Sequence, residues 1–157
     1  MSPATPKKKK KGKFEIGDFK LKVKRSTAGL GLYAMEDIPK GACVIEYVGR
    51  TLEKGEDHTI TSQYLFEITK KITIDGGARS NTARYINHSH RPNCEVEIYK
   101  RRVYVMARRN IKAGEELGYD YGKDFFNEYI KPKGCKCIKC RPDLHDAAPT
   151  KPTKNKK

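Results

Sequence analysis

Three cysteines crowd together near the C-terminus, in Cys135-Lys136-Cys137-Ile138-Lys139-Cys140. Thiolates at C-x-C-x-x-C spacing can hold one face of a tetrahedral zinc and leave a fourth position for another ligand. The competing reading is three reduced surface thiols on a flexible segment. Further upstream, Tyr119 and Tyr121 flank Asp120 in GEELGYDYG, and Tyr47 stands in EYVG. Each hydroxyl can donate and accept a hydrogen bond, yet all three residues are equally at home as strand aromatics. Asn87 and His88 stand together in ARYINHSHRPN; such a pair at a helix end commonly satisfies backbone groups. Gly29 and Gly31, in Ala28-Gly29-Leu30-Gly31, permit positive φ and a close approach of a ligand to the backbone. They do not make a dinucleotide fingerprint, because no third glycine and no helix follow. Alone they read as a turn.

Taken together, in this order and within one small domain's length, the four segments resemble the core of the SET-domain protein lysine methyltransferases. The form is compact, with a post-SET cysteine cluster and no pre-SET module. The resemblance runs over residues 17 to 141. It implies a mainly β fold: a SET β-clip of several short sheets, a knot-like C-terminal crossing and little helix. It implies S-adenosylmethionine as methyl donor. Ala28, Gly29, Leu30 and Gly31 would lie along its methionine part. Asn87 and His88 would bond its adenine and ammonium ends and anchor the crossing. Tyr64, in QYLFEI, would pack on it. Tyr47 and Tyr121 would line a narrow channel for the substrate lysine, with Tyr121 in the place of the family's catalytic tyrosine. Tyr119 stands where Tyr favours monomethylation and Phe favours further methylation. In post-SET proteins the fourth zinc ligand is a Cys directly after Asn-His-Ser. Here His90 occupies that place, with Cys94 as a competitor. Zinc held by Cys135, Cys137, Cys140 and His90 would pin the segment after Tyr121, so that Phe125, Phe126 or Tyr129 closes one channel wall. Departures from the family pattern are the closer spacing of the second and third cysteines, a short insert near residues 53–63, and Arg50 where an acid is common.

The chemistry implied makes a definite physical demand. Methyl transfer from a sulfonium is an in-line displacement that needs a neutral amine, while free Lys has a pKa near 10.4 and only about one in 10³ is neutral at pH 7. A tight apolar channel ending at a positive sulfur disfavours the ammonium form, so no strong base is required. Hydroxyls and carbonyls then need only orient the amine and hold the polarised methyl.

Such residues must be positioned by short strands. FKLKVKRS (19–26) alternates apolar and basic residues with a period of two. Residues 42–48, 64–68, 72–74 and 116–119 are further strand candidates, and 96–99 with 103–106 form a hairpin around Lys100-Arg101-Arg102. Ser80 to Ile86 reads as one or two helical turns, with Ser80 as a possible cap. A weak internal echo links Asp37-Ile38-Pro39-Lys40-Gly41 to Asn110-Ile111-Lys112-Ala113-Gly114. Either an old duplication or convergence on the same turn chemistry explains it.

The 157 residues suit one domain with tails: 1–13 Lys-rich and disordered, 14–122 the SET domain, 123–141 the post-SET segment, 142–157 a basic tail. The net charge is +15. Residues 1–13 hold six Lys and no acid, and residues 141–157 hold five basic and two acidic groups. Most of the excess therefore lies on segments too poor in apolar residues to fold. These tails suit nucleic acid or another polyanion, or a nuclear-import signal, or simply solubility. No apolar run approaches the roughly 20 residues that span a bilayer, and no signal-peptide core is evident. Five cysteines with three at metal spacing suit a reducing compartment: nucleus, or bacterial nucleoid or cytoplasm, with export as an effector open. The expected partner is a Lys-rich protein such as a histone or histone-like protein. Two other readings stay open: a non-catalytic chromatin or nucleic-acid binding module of the same fold, and a basic zinc protein without cofactor.

Overall fold

A computed structural model of the chain describes residues 15–53 and 64–146. The Lys-rich tail at 1–13, most of the expected insert and residues 147–157 lie outside the described residues. Among the described residues ten short strands form four small sheets. β1 (Leu21–Ser26) pairs antiparallel with β2 (Gly29–Ala34). β1 follows the alternation read from the sequence: Lys22 and Arg25 are exposed, while Leu21 and Val23 pack against the core. β2 differs from the expectation of a turn. Gly29 and Gly31 lie within the strand, Gly29 with φ of 109°, a conformation that side chains resist.

β3 (Cys43–Tyr47), β9 (Arg102–Ala107) and β8 (Cys94–Tyr99) form a three-stranded antiparallel sheet with β9 central. Its Val103 and Val105 pack in the main core, and Tyr104 and Met106 on the other face with Ile16 and Cys43. Coverage of both faces explains the nearly unbroken apolar run of β9. The expected hairpin turn is formed by Lys100 and Arg101, both at positive φ. β4 (Arg50–Glu53), β6 (Ile72–Asp75) and β5 (Leu65–Thr69) form the third sheet, with β6 central. The last pair is parallel. β7 (Asn87–His88) runs beside β10 (Gly118–Tyr119), matching Asn87 with Gly118 and His88 with Tyr119. The expected strand at 116–119 is thus shorter, and Glu116 makes an isolated bridge to Tyr33 instead.

Helix is scarce among the described residues before 123. Thr82–Tyr85 forms one 3-10 turn. Ser80 does not cap it; Asn81 occupies the cap position without a side-chain cap bond. Buried Asn81 has other work: its Oδ1 accepts from Val48 N at 3.0 Å and its Nδ2 donates to Gly76 O at 2.9 Å. That ties the end of β3 to the turn after β6. The echoed segments face each other. Ile38 and Ile111 exchange both backbone hydrogen bonds at 2.8 Å, Ala113 N donates to Asp37 Oδ1, and Lys40 N donates to Asn110 Oδ1. Beyond Gly122 the chain turns helical over Lys123–Phe125, Phe126–Ile130 and Lys131–Lys133. Pro142–Asp146, assigned by sequence to a tail, forms a further short helix.

The core is filled by Leu32, Ala34, Ile38, Val44, Val105, Ile111 and Leu117, all nearly inaccessible. Each large aliphatic contributes about 1.5–3 kcal/mol by leaving water. Among the described residues no helix is long and apolar enough to cross a membrane.

Candidate active site

One cleft is lined by the β1–β2 turn, β5, the stretch from Arg84 to Ser89, β10 and the segment after Tyr121. The β7–β10 pairing creates it, because parallel alignment of two distant dipeptides brings Asn87-His88 beside Tyr119. The backbone N–H of Ser89 seals the junction by donating to Tyr119 O at 3.0 Å.

On one side lie Ala28 and Leu30, exposed at the β1–β2 turn, while Gly29 and buried Gly31 do not line the cleft. Asn87 Nδ2 donates to Leu30 O and to Glu116 Oε2, both at 2.9 Å. Glu116 Oε2 also accepts from Ser26 Oγ at 2.8 Å, and its other oxygen lies 3.5 Å from the Tyr33 hydroxyl. Burial, and then the Glu116 charge, raise the Tyr33 pKa. A methyl group on Gly31 would run into the Glu116 carboxylate. Glu116 was not singled out by sequence reasoning. Its only signal was an acid at the start of the expected strand, directly after Glu115 in EELGY.

On the other side the three tyrosines converge. Tyr119 and Tyr121 ring centroids are 5.0 Å apart. Tyr47 is buried beside Phe66 and donates its hydroxyl proton to Tyr64 O at 2.7 Å. The Tyr121 hydroxyl donates to Ile86 O. Burial raises all three phenol pKa values, and neighbouring acidic groups add to the effect. The hydroxyls therefore stay protonated at neutral pH. With their protons directed to carbonyls, the oxygens of Tyr47 and Tyr121 are left as acceptors. Tyr64 reaches the same cleft, with the Arg84 guanidinium 4.3 Å above its ring. Arg84 too went unremarked in the sequence, although it stands three residues before Asn87.

The third corner holds sulfur. His90 Nδ1 lies 3.7, 3.6 and 3.3 Å from the sulfurs of Cys135, Cys137 and Cys140. All four ligand atoms fall within 4.8 Å of one another. Zn–S near 2.3 Å and Zn–N near 2.0 Å put tetrahedral N···S edges at roughly 3.5 Å, so these four donors fit one zinc. Cys94 does not join them: it is buried on β8, and burial pushes its thiol up to about 12. Burial also pushes Cys137 up, but hydrogen bonds from the backbone of His90 and Cys140 outweigh it and hold the thiol at about 6. The neighbouring Cys135 is pushed up, chiefly by burial.

Aromatic contacts connect this corner to the tyrosines. His90 and His88 rings meet edge-on at 4.4 Å, with their Nε2 atoms 3.2 Å apart. Phe126 touches both rings. Phe125 packs edge-on against Tyr121 at 4.9 Å, and Tyr129 stacks behind Phe125 at 4.6 Å. Of the three aromatics left open by the sequence, Phe125 and Tyr129 line the cleft, while Phe126 faces the histidines. Tyr121 N donates to His88 Nδ1 at 3.1 Å. Burial and the neighbouring His90 lower the His88 pKa, against Asp120, which raises it.

Comparison with known proteins gives the chain a family. The sequence matches the SET domain family over residues 29–122. It is similar to histone-lysine N-methyltransferase trr of Drosophila melanogaster, 38% identical over 126 residues, covering 72% of this chain and 5% of that protein. It is 37% identical over 126 residues to histone-lysine N-methyltransferase 2D of Homo sapiens, covering 72% of this chain and 2% of that one. A histone-lysine N-methyltransferase, H3 lysine-4 specific, of Schizosaccharomyces pombe is 41% identical over 105 residues, 59% of this chain and 11% of that one. The chain thus spans only a small part of the length of these relatives. The match runs from the first glycine of β2 to the glycine just after Tyr121, and by it the chain belongs to the SET domain family.

Proposed function

We propose that the chain is a protein-lysine N-methyltransferase that uses S-adenosylmethionine and adds one methyl group to Lys-rich proteins of the histone or histone-like class. The observation that carries this reading is the convergence of Tyr47, Tyr119 and Tyr121 on the cleft that Asn87, His88 and the β1–β2 turn also line. The names of its relatives support the reaction class and the histone substrates. They also favour chromatin as its place of action. The division into a SET domain at 14–122 and a post-SET segment at 123–141 belongs to the same reading.

The cofactor, when bound, supplies an activated methyl on a sulfonium. Its fit rests on this chain's own groups. Asn87 Oδ1 has no partner among the described residues, and Ala28 and Leu30 line the same cleft. Tyr64, Asn87 and His88 would hold it there. The aromatic walls of Tyr121, Phe125 and Tyr129 exclude water from the substrate lysine and so favour its neutral form. Hydroxyl oxygens of Tyr47 and Tyr121, with protons already given to Tyr64 O and Ile86 O, accept from the amine and from the polarised methyl. Holding nucleophile and methyl in line provides most of the acceleration. The Tyr119 hydroxyl has no protein partner among the described residues. It can hold a water that restricts the amine's rotation after one methyl. Zinc, held by Cys135, Cys137, Cys140 and His90, would supply structure only, since four protein ligands leave no open position.

The test is intact-mass spectrometry after incubation with S-adenosylmethionine and a panel of histones and histone-like proteins. Gain of one methyl's mass on a panel member, absent with Tyr121→Phe, is the expected result. No gain on any partner despite measurable cofactor binding would favour a docking module.

A further inference from the structure

We propose that Glu116 is a positioning residue of this site: its carboxylate orients the Asn87 side-chain amide so that Oδ1 faces the cleft and accepts from the cationic amino group of the cofactor. The proposal rests on the methyltransferase reading above.

An Asn amide is a two-ended group, with two donors on nitrogen and an acceptor on oxygen. Which end faces the cleft decides what it can bind. Asn87 Nδ2 lies 2.9 Å from Glu116 Oε2 and 2.9 Å from Leu30 O. Both partners only accept. A flipped amide would set its oxygen against a carboxylate and a carbonyl at once, and would lose a charge-assisted bond. The acceptor end is thereby left for the ligand. Leu30 O alone would hold the amide with one neutral bond.

Glu116 is itself held from several sides. Ser26 Oγ donates to Oε2 at 2.8 Å, the Tyr33 hydroxyl approaches Oε1, and the backbone bridges Tyr33. Gly31 leaves the space that the carboxylate fills. One carboxylate therefore joins β1, β2 and β7 at the point where the first two meet the cleft. Glu116 also lines the cleft; its proposed role is exerted through Asn87, and a double-mutant cycle separates that from direct contact with the ligand.

The experiment is a double-mutant cycle on S-adenosylmethionine affinity, measured calorimetrically with Glu116→Ala, Asn87→Ala and the double variant. Each single change should weaken binding on the order of tenfold, the loss expected for one oriented hydrogen bond. The double variant should be no weaker than Asn87→Ala if Glu116 acts through Asn87. A further loss in the double variant means that the Glu116 carboxylate, which also lines the cleft, touches the ligand itself, and overturns the proposal. Glu116→Gln should retain most of the affinity, since its oxygen can still face Asn87 and Ser26 while its NH2 turns to Tyr33. The KM for the protein substrate should not move. A merely structural role would lower thermal stability, leave cofactor affinity intact or make the two losses multiply, and any of these affinity results overturns the proposal. Should Glu116→Ala not fold, exchange of the Asn87 side-chain amide protons in the wild-type protein decides. Protection without cofactor supports the lock; exchange at the free rate overturns it. A wild-type protein that binds no cofactor instead overturns the methyltransferase reading, and the proposal with it.

Discussion

Tyr119 and Tyr121 are two positions apart and point to the same side of the chain, their ring centroids 5.0 Å apart and their planes 49° apart. They differ in what their hydroxyls do. Tyr121 gives its proton to Ile86 O, whereas Tyr119 has no protein partner among the described residues. Tyr119→Phe should therefore cost little stability, within about 1 kcal/mol, because no protein hydrogen bond is broken. It should instead move the product from mono- towards dimethyl-lysine by removing the anchor for a water. Mass spectrometry of a methylated substrate reads the ratio, and an unaltered ratio would refute the role of this hydroxyl.

The Cys3His cluster should carry one zinc. Cys137→Ser should weaken it by more than the roughly 10–100-fold that loss of a supporting group costs, since Cys137 is itself one of the four donors. Metal affinity should fall on acidification as protons compete for the thiolates. Hydrogen exchange should then show amides 126–141 opening while β8 and β9 stay protected. Equal protection with and without metal would show that the cluster does not hold the segment.

Gly31→Ala should destabilise the fold by about 1–3 kcal/mol through overpacking. The added methyl meets the Glu116 carboxyl group and also the Ser26 side chain at 3.0 Å. Chemical denaturation measures the loss. A stability equal to that of the wild type would show that β1 and β2 part easily there.

The pair Arg109–Glu115 gives a pH prediction. Burial raises the Glu115 pKa, but hydrogen bonds from Arg109 and from Lys112 N outweigh it and hold the carboxyl below the ordinary 4.5. A depressed folded pKa gives stability that is present above the unfolded value and is lost as pH falls through the folded one. Glu115→Gln should thus lower stability above pH 4.5 and flatten the acid limb below it. The side chains are 50% and 30% exposed, so screening limits the effect to about 0.5–1 kcal/mol. An acid limb identical to the wild type's would remove Glu115 from the cause.

Much of this architecture was legible because it is written in local patterns. The alternation of β1, the apolar run of β9 and the hairpin between β8 and β9 follow from side-chain period and turn geometry. β2 was misread as a turn because its glycines carry no pattern. Their place in a strand is set by pairing with β1 and by the carboxylate under Gly31. β4 was missed altogether. The helical turns after Gly122 were missed for a related reason: Phe125 and Tyr129 pack on Tyr121 rather than on a helical stripe of their own.

By itself the sequence determined the family, the residue types of the cleft and the three sulfur donors, since these depend on identity and short spacing. Tertiary structure alone decided which residues share an atom's neighbourhood. His90 rather than Cys94 faces the sulfurs because strand alternation turns Cys94 inward with Val96, while His90 stands ahead of the strand. Glu116 meets Asn87 because the bridge to Tyr33 and the parallel β7–β10 pair bring residues 29 positions apart to 2.9 Å. Such contacts arise from long-range backbone pairing, whose partners no local pattern specifies.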